Sequence, residues 1–567
     1  MAATTDADLA QRVLRGIGVS AGSVSGPAVV IGLPPQVPAD EPASTDVDAD
    51  WARISDALGA VAENLEKKAA AIGGPAADIL SATALMARDP SLGKGIRAGL
   101  AAGRGPVNAV HAAVEDVCTM FTAAGGYLAE RTTDLRDVAS RVIARLLGVP
   151  EPSVPELSVP SVLIAHDLAP ADTAGLSPVT TLAIVTELGG PTSHTAILAA
   201  QLGIPAVVHV AGALNIAAGT VVAVDGSTGT VTIAPDEAEQ AEIARRRAER
   251  DALVSSRSGP GSTRDGHSVH LLANIGTVGD AAVASAADVE GVGLFRTEFL
   301  FLDRASAPTV EEQTATYTAV LESFAGKYVT VRTLDAGADK PLPFADLGPE
   351  ENPALGVRGL RLSKQRPDLL ESQLAALGAA AAATGVEVKV MAPMVATPDE
   401  ARWFASLARA HGLSTVGVMV EVPAAALRAR QILTEVDFVS LGTNDLAQYT
   451  MAADRLAGEL ADLLDPWQPA LLDLVAATAG AAASAGKRAG VCGEAAGDPL
   501  LALVLTGLGV TSLSMAAGKV AAVRYALAEH DLDECRAMAA AARDANSPTA
   551  ARSAVRAMCS ESVAAIL

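Results

Sequence analysis

At 567 residues, the chain is long enough for about three or four domains. Its formal net charge of −23 and pI of about 4.8 argue against nonspecific binding to nucleic acid or anionic lipid. The four cysteines are scattered, which predicts neither a disulfide framework nor a zinc site. Without a signal-peptide pattern or a long apolar run, the sequence predicts a cytoplasmic protein with no membrane insertion and no nucleic-acid partner.

The first quarter of the chain changes pattern twice. Residues 16–32 are punctuated by glycine and carry short β-prone runs, which predicts strands of a small sheet. From Asp46 to about Leu147 apolar residues follow helical spacing, with breaks at GGP, ARDPS and GRGP, and four helices in up-and-down order fit this span. Strands return after a proline-rich join. We therefore expect a helical bundle inserted into an α/β domain.

Residues 186–208, TELGGPTSHTAILAAQLGIPAVV, place His194 at the start of a predicted helix. An apolar strand over residues 179–185 precedes it, and a helical pattern continues to Gly203. The free N–H groups and the positive dipole end of a first helical turn would stabilise an anion on or beside the imidazole. A histidine after a glycine turn is more often a cap or a surface residue, so this stretch alone assigns no role.

The second half has the pattern of a barrel enzyme. A highly charged helix with little apolar face is predicted over residues 237–254, and a flexible GPGS break follows it. From His270 onward, eight apolar strands alternate with helices, which predicts a (β/α)8 barrel. The predicted fold class is therefore multidomain α/β, with an N-terminal α/β domain, an inserted helical bundle, a linker helix and a C-terminal TIM barrel.

Chemically versatile side chains lie at or near the C-terminal ends of five predicted barrel strands, where barrel enzymes place their chemistry. They are Arg296, Arg332, Glu421, Asp445 and Cys492. Glu421 and Asp445 come from consecutive strands, and Mg²⁺ prefers one or two such carboxylates. The arginines, with Asn444 and Arg455, suit a substrate that carries phosphate and carboxylate groups. Salt bridges for the carboxylates and simple burial for the cysteine are the structural alternatives.

Both halves of the chain resemble one known family. The string GGPTSHTAI followed by LGIPAVV resembles the phosphohistidine motif of the phosphoenolpyruvate-utilising family, which contains enzyme I of the bacterial sugar phosphotransferase system, phosphoenolpyruvate synthase and pyruvate phosphate dikinase. GVGLFRTEFLF, VRTLDAGADKPLP, GVMVEVPAAA and GVCGEAAGDP resemble blocks of the phosphoenolpyruvate-binding barrel of enzyme I. DFVSLGTNDLAQYTMAADR is the most specific of these blocks.

The resemblance implies a role for each candidate residue. Those implied to hold phosphoenolpyruvate are Arg296, Arg332, Asn444, Asp445 and Arg455. By the same resemblance, His194 accepts the phosphoryl group, Glu421 and Asp445 hold Mg²⁺, and Cys492 donates the proton that turns the enolate into pyruvate. The resemblance also implies transfer to the phosphocarrier HPr, docked on the helical insertion, and a homodimer formed through the barrel.

The domain boundaries expected from this reading follow the pattern changes. Residues 1–32 and 148–236 form the phosphohistidine domain, and residues 33–147 the helical HPr-binding domain. Residues 237–262 form the linker helix, and residues 263–567 the barrel. Because the histidine and the phosphate site belong to different domains, we expect the linker to permit movement of one toward the other.

Three positions depart from the family pattern. Pro191 and Ala200 stand where many relatives have arginine, and Ala169 stands where relatives often have threonine, so the contacts of the imidazole are expected to differ. Lys340 and Arg358 lie on a long predicted loop and rank below the strand-end arginines as substrate ligands.

Two alternatives stay open at this point. One is an enzyme like phosphoenolpyruvate synthase or the dikinase, although such an enzyme also needs a nucleotide-binding domain and the chain carries no GxxxxGK[ST] loop. The other is a catalytically inactive regulatory phosphorelay protein.

Overall fold

The computed structural model describes residues 12–567 apart from 21, 33–34, 73, 125–130, 150, 153, 156, 158, 169–171, 173–175, 191–193, 302–303, 305, 338–341, 343, 346–347, 349 and 455–457. The side chain of His194 also lies outside the described part. The chain divides into two compact units, Met1–Arg247 and Ala248–Leu567.

The first unit contains a mixed sheet of eight strands in its described residues. They are β1 Val13–Arg15, β2 Ile17–Ser20, β3 Ser23–Val30, β4 Ser161–Ala165, β5 Thr181–Thr186, β6 Ala206–Val208, β7 Val221–Asp225 and β8 Thr230–Ile233. The order is β1-β8-β7-β3-β4-β5-β6-β2, and β3, β4, β5 and β6 run parallel to one another. The chain leaves the sheet after β3, forms the helical insertion and returns as β4, which pairs with β3. This is the insertion that the sequence predicts.

The helical insertion has its own core. Its described helices are Val47–Ile72, Gly74–Ala87, Pro90–Ala101, Pro106–Ala124 and Thr132–Leu147. The helical spacing of apolar residues predicted for this span is confirmed in its first helix, where Ile54, Leu58, Val61 and Leu65 are all buried in one cluster. The prediction of four helices was wrong, because the described residues of this span already contain five helices.

Two helices of the first half lie where the sequence predicted them. Helix His194–Leu202 follows β5 and begins at the predicted histidine. Helix Glu237–Ser255 has no buried residue, as its charged sequence indicates. The boundary between the two compact units falls within this second helix.

The second unit contains a closed barrel of eight parallel strands, which confirms the eight strands predicted from His270 onward. They are β9 His270–Ile275, β10 Gly291–Arg296, β11 Tyr328–Arg332, β12 Glu387–Ala392, β13 Thr415–Val420, β14 Phe438–Gly442, β15 Arg488–Cys492 and β16 Ser512–Met515. Closure occurs between β16 and β9, so every strand has two partners. The carboxyl ends of all eight strands therefore face one end of the barrel.

The barrel helices pack their apolar faces on the outside of these strands. They are Val278–Ala286, Val310–Glu322, Leu360–Gln365, Pro367–Thr384, Pro398–Ala410, Pro423–Leu427, Ala429–Ile432, Thr443–Met451, Pro469–Ser484, Pro499–Gly507, Val520–Ala528, Leu532–Arg543, Pro548–Met558 and Glu561–Ala564. The C-terminal helices join the same core through Met538, Val555 and Ile566. No helix among the described residues is both long and apolar enough to cross a bilayer.

A buried ion-pair cluster joins the helical insertion to the segment that follows β4. Arg141 Nε donates to Asp137 Oδ2 at 2.8 Å, and Arg141 Nη2 donates to Asp172 Oδ1 at 2.8 Å. The Arg141 side chain is 2% exposed, and those of Asp137 and Asp172 are 7% and 8% exposed. One guanidinium thus neutralises two buried carboxylates.

We expect Arg141→Ala to destabilise the first unit by about 3–5 kcal/mol, because two buried carboxylates lose their counter-ion. Arg136→Ala is the matched control, since Arg136 lies on the same helix and pairs with Glu115 while its side chain is 54% exposed. That control is expected to cost less than about 1 kcal/mol. Amide hydrogen exchange in helix Thr132–Leu147 measures the stability loss of each variant. Equal losses of protection in the two variants would contradict the role assigned to Arg141.

Candidate functional site

The predicted strand-end residues lie at the carboxyl end of the barrel. Arg296 and Arg332 are the last residues of β10 and β11, and they are partners in register. Glu421 comes directly after β13, and Cys492 is the last residue of β15. Asp445 lies in the first turn of helix Thr443–Met451, which follows β14 without a break. The parallel, closed sheet is what brings these distant positions to one end.

A chain of alternating charges crosses this end of the barrel. Arg332 donates to Glu298 through Nη2 and lies 3.0 Å from Asp335 Oδ2 through Nη1. Arg358 donates to both oxygens of Asp335, at 3.0 Å each. Arg358 Nη1 also donates to Asp445 Oδ1 at 2.8 Å. All five side chains are at most 10% exposed, so the pairs are strong and water is largely excluded from them.

Sequence reasoning missed two members of this chain, Glu298 and Asp335. Both follow the end of a barrel strand by only a few residues, in the strings FRTE and RTLD, so the strand-end signal that identified the arginines could have found them. Arg358 ranked below the strand-end arginines, yet its side chain is only 1% exposed. A backbone bridge between Gly337 and Arg358 fixes it at the base of the long loop, a contact that the sequence does not predict.

Glu421 is fully buried, and only one of its two carboxyl oxygens has a hydrogen-bond partner among the described residues. Its Oε1 accepts a hydrogen bond from the Met394 backbone N–H at 2.6 Å, whereas its Oε2 has no hydrogen-bond partner among the described residues. Met394 has a φ of 58°, an unfavourable value for a residue with a side chain. Burial, with the nearby charges of Asp335 and Asp445, raises the pKa of Glu421 to about 8.

The donor set at this point suits a divalent cation. A buried carboxylate oxygen without a partner, beside the second carboxylate of Asp445, is what Mg²⁺ uses when it is held by one or two protein carboxylates. The described residues contain no group of three or more His, Cys, Asp or Glu side chains placed to hold a metal ion. Glu421 and Asp445 could therefore hold Mg²⁺ together with oxygens of a substrate, but they do not form a complete protein cage.

Cys492 is buried inside the barrel beside Leu294, Met391 and Met419. Ser440 Oγ donates a hydrogen bond to Cys492 Sγ at 3.2 Å, and the thiol lies 3.5 Å from the Leu441 carbonyl oxygen, to which it can donate. Burial raises the pKa of the thiol, and the Ser440 hydrogen bond and the Arg332 charge only partly oppose this rise. Cys492 therefore carries its proton near neutral pH and can act as an acid. Sequence reasoning did not identify Ser440.

The other predicted ligands are placed less fully. Arg296 is partly exposed, and no ion pair links it to another described residue. Asn444 is exposed on the first turn of helix Thr443–Met451. Arg455 and Lys340 lie outside the described residues. The described part of the barrel end thus brings together two buried arginines, one accessible arginine, the carboxylates and the thiol.

The histidine site is described only through its backbone. His194 is the first residue of helix His194–Leu202, as predicted. Thr195, beside it, is buried, and its hydroxyl has no hydrogen-bond partner among the described residues. Pro191 and Ala169, two of the three departures, lie outside the described residues, and the side chain of the third, Ala200, does as well.

Comparison with known proteins defines the class to which this fold and site belong. Residues 250–532 match the model of the PEP-utilising enzyme, PEP-binding domain. Residues 15–131 match the model of the PEP-utilising enzyme, N-terminal, and residues 157–229 match that of the PEP-utilising enzyme, mobile domain.

Curated relatives match along nearly the whole chain. The phosphoenolpyruvate-protein phosphotransferase of Streptomyces coelicolor is 53% identical over 97% of this chain and 100% of its own length. Those of Haloferax volcanii and Staphylococcus carnosus are 41% and 39% identical, over 94% and 90% of this chain and 96% and 93% of their own lengths. The chain belongs to the phosphoenolpyruvate-utilising enzymes and, among them, to the phosphoenolpyruvate-protein phosphotransferase or enzyme I family, whose members are transferases.

We expect the stability of the metal-free protein to depend on Glu421. Its pKa rises from about 4.5 in the unfolded chain to about 8 in the folded protein, so the folded state holds an extra proton between these values. This contribution is fully present below about pH 4.5 and is lost as the pH rises toward about 8. Thermal unfolding in a chelator, from about pH 5 to about pH 8.5, should show the midpoint of the native protein falling relative to that of Glu421→Gln. Parallel curves for the two proteins would refute the raised pKa.

Proposed function

We propose that this chain transfers the phosphoryl group of phosphoenolpyruvate to His194 and then to the phosphocarrier HPr, in the first step of a sugar phosphotransferase system. The observation that carries the proposal is the set of buried and accessible arginines at the carboxyl end of a barrel that belongs to the enzyme I family. Such a set suits a small substrate with phosphate and carboxylate groups.

Arg296 and Arg332 are the proposed anion ligands. Arg296 is partly exposed and unpaired among the described residues, and Arg332 keeps a buried Nε without a hydrogen-bond partner there. The Arg358 guanidinium already donates hydrogen bonds to Asp335 and Asp445. This favours a positioning role for Arg358 over direct binding of substrate. Asn444 and Arg455, implied by the family resemblance, complete the proposed ligand set together with Asp445.

Glu421 and Asp445 are the proposed Mg²⁺ ligands. When bound, Mg²⁺ supplies positive charge beside the phosphoryl oxygens. The carboxylates keep that charge at the mouth of the barrel, and the buried arginine network fixes the orientation of Asp445. Met394 fixes Glu421 in the same way, through its backbone N–H.

The two proposed reacting groups of the protein have distinct tasks. A neutral imidazole of His194 attacks phosphorus, the N–P bond forms, and the bond from phosphorus to the enol oxygen breaks. The resulting enolate takes the thiol proton of Cys492 at its terminal carbon and becomes pyruvate. Burial keeps this thiol protonated until the enolate forms.

The wider organisation belongs to the same proposal. Residues 1–32 and 148–236 would form the phosphohistidine domain, residues 33–147 the HPr-binding domain, residues 237–262 the linker and residues 263–567 the barrel. A homodimer formed through the barrel and a cytoplasmic location agree with the family's role in sugar uptake.

We expect the native protein to become labelled when it is incubated with phosphoenolpyruvate that carries a radioactive phosphoryl group and with Mg²⁺. His194→Ala should abolish the label, because the acceptor nitrogen is gone. His111→Ala is the matched control, since His111 is an exposed histidine in the middle of helix Pro106–Ala124. Acid-labile label is measured after gel separation, and label that persists in His194→Ala would falsify the assignment.

Mg²⁺ binding is testable without turnover. Excess Mg²⁺ at about 100 times its dissociation constant should stabilise the native protein by about 2.7 kcal/mol and raise its Tm. Glu421→Gln should lose this rise, because one carboxylate ligand is removed. Glu371→Gln, which changes an exposed glutamate of helix Pro367–Thr384, should keep it. An equal rise in Tm for all three proteins would exclude Glu421 as a ligand.

A further inference from the structure

A cavity lies at the opposite end of the barrel from the candidate site. Its volume is about 270 Å³, which is room for several water molecules. Its walls include the starts of barrel strands, among them Tyr328, Glu387 and Arg488. These residues begin β11, β12 and β15, whereas Arg332 and Cys492 end β11 and β15. Since Glu387 and Arg488 are exposed, the cavity opens to solvent at the amino end of the barrel.

The wall of this cavity carries several polar groups among apolar side chains such as Leu272 and Val491. Its hydroxyl side chains include Thr330, Ser440, Ser512 and Ser514. The ammonium group of Lys389 lies 3.4 Å from the centre of the Tyr328 ring and also borders the cavity. These hydroxyl and ammonium groups can supply hydrogen-bond partners for water in the cavity.

Small residues keep the cavity open toward the middle of the barrel. Gly293 and Gly490 both line it. A side-chain carbon at Gly293 would lie 2.5 Å from Ser514 Oγ, and one at Gly490 would lie 2.5 Å from Ser512 Oγ. Larger residues at these two positions would therefore collide with the hydroxyl walls.

Ser440 contacts both the amino-end cavity and Cys492 of the candidate site. It lines the cavity, and its Oγ donates to Cys492 Sγ at 3.2 Å. Among the described residues, the Ser440 hydroxyl therefore links the cavity directly to the sulfur. Cys492 itself is 3% exposed and is surrounded by Leu294, Met391 and Met419, which cannot pass a proton.

We propose that Ser440 and the amino-end cavity return a solvent proton to Cys492 after it has protonated the enolate. The inference rests on the proposed function, which makes Cys492 the proton donor. The S–H bond breaks as the C–H bond of pyruvate forms, leaving a thiolate. The thiolate takes the proton of the Ser440 hydroxyl, and Ser440 regains one from water in the cavity, so the net donor is solvent.

This route answers a need that the carboxyl end does not meet. While pyruvate occupies the mouth of the barrel, it covers the sulfur from that side. A proton supply from the opposite end lets Cys492 recover its proton before the product leaves. It also predicts that bound pyruvate exchanges its methyl hydrogens with solvent repeatedly, since each reverse transfer gives the thiol a proton that Ser440 can exchange.

We expect Ser440→Ala to slow this exchange at least about tenfold. The full-length protein with Mg²⁺ is incubated with pyruvate in D₂O, and the distribution of singly, doubly and triply deuterated pyruvate is followed by NMR. The native protein should produce multiply deuterated product from the start. Ser440→Ala should produce little product, and mainly singly deuterated, because the abstracted hydrogen returns to carbon. Ser440→Thr, which keeps a hydroxyl, should restore multiple exchange.

Two changes at Ser512 test the cavity separately from the hydrogen bond. Ser512 lines the cavity and pairs in register with Gly490, two residues before Cys492. Ser512→Ala leaves the water space intact and should exchange like the native protein. Ser512→Met fills the space and should slow exchange as Ser440→Ala does. Native-like exchange in either Ser440→Ala or Ser512→Met overturns the route.

Single-turnover labelling of His194 from phosphoenolpyruvate keeps the two proposals distinguishable. Ser440→Ala should retain this label, since Ser440 is not placed at the phosphoryl group. If the native protein takes no label, the proposed function fails. If the native protein and Ser440→Ala both take label and exchange alike, only the proton route fails. A variant that takes no label while the native protein does also overturns the assigned role of Ser440.

Discussion

The alternation of carboxylate and guanidinium from Glu298 through Arg332, Asp335 and Arg358 to Asp445 is the interaction on which the candidate site depends. An isolated buried charge costs several kcal/mol, so no member of this chain is stable there alone. Each charge is stabilised by the oppositely charged side chain or side chains next to it in the series. Only a closed parallel barrel brings these residues, from strands far apart in sequence, to one end where they can neutralise one another.

This network also explains why the candidate site suits a cation as well as an anion. Arg332 and Arg358 are already paired with carboxylates, so their charges are partly neutralised before a substrate arrives, although Arg332 keeps an Nε without a hydrogen-bond partner among the described residues. Arg296 remains accessible, and Glu421 adds a buried carboxyl group whose Oε2 has no hydrogen-bond partner among the described residues. A cation bound beside Glu421 would supply additional positive charge to offset the negative charge of a bound polyanion. In a chain with a net charge of −23, anion binding therefore depends on local arrangement and not on overall charge.

Regular apolar patterns in the sequence were enough to predict the fold, and the predicted fold was enough to place much of the candidate site. Eight apolar runs were enough to predict the barrel, because buried parallel strands are apolar on both faces. Residues directly after these runs could be placed at one end, which found Arg332, Glu421 and Cys492. Glu298 and Asp335 carried the same signal and were overlooked. Arg358 and Ser440 could not be ranked in this way, since a loop bridge and a cross-strand contact determine their roles.

The proposed chemistry makes two opposite demands on the interior of the barrel. Phosphoryl chemistry at the carboxyl end benefits when water is excluded, because charge interactions strengthen in a dry site. A buried acid that works repeatedly nevertheless needs contact with solvent protons. Leu294, Met391 and Met419 form an apolar layer around the sulfur, and the hydroxyl groups of the amino-end cavity lie beyond it. The side chain that touches both layers is Ser440, which sets the sulfur at the boundary between them. For Cys492 as the proposed proton donor, a position beside that hydroxyl satisfies both demands without a channel through the charged network.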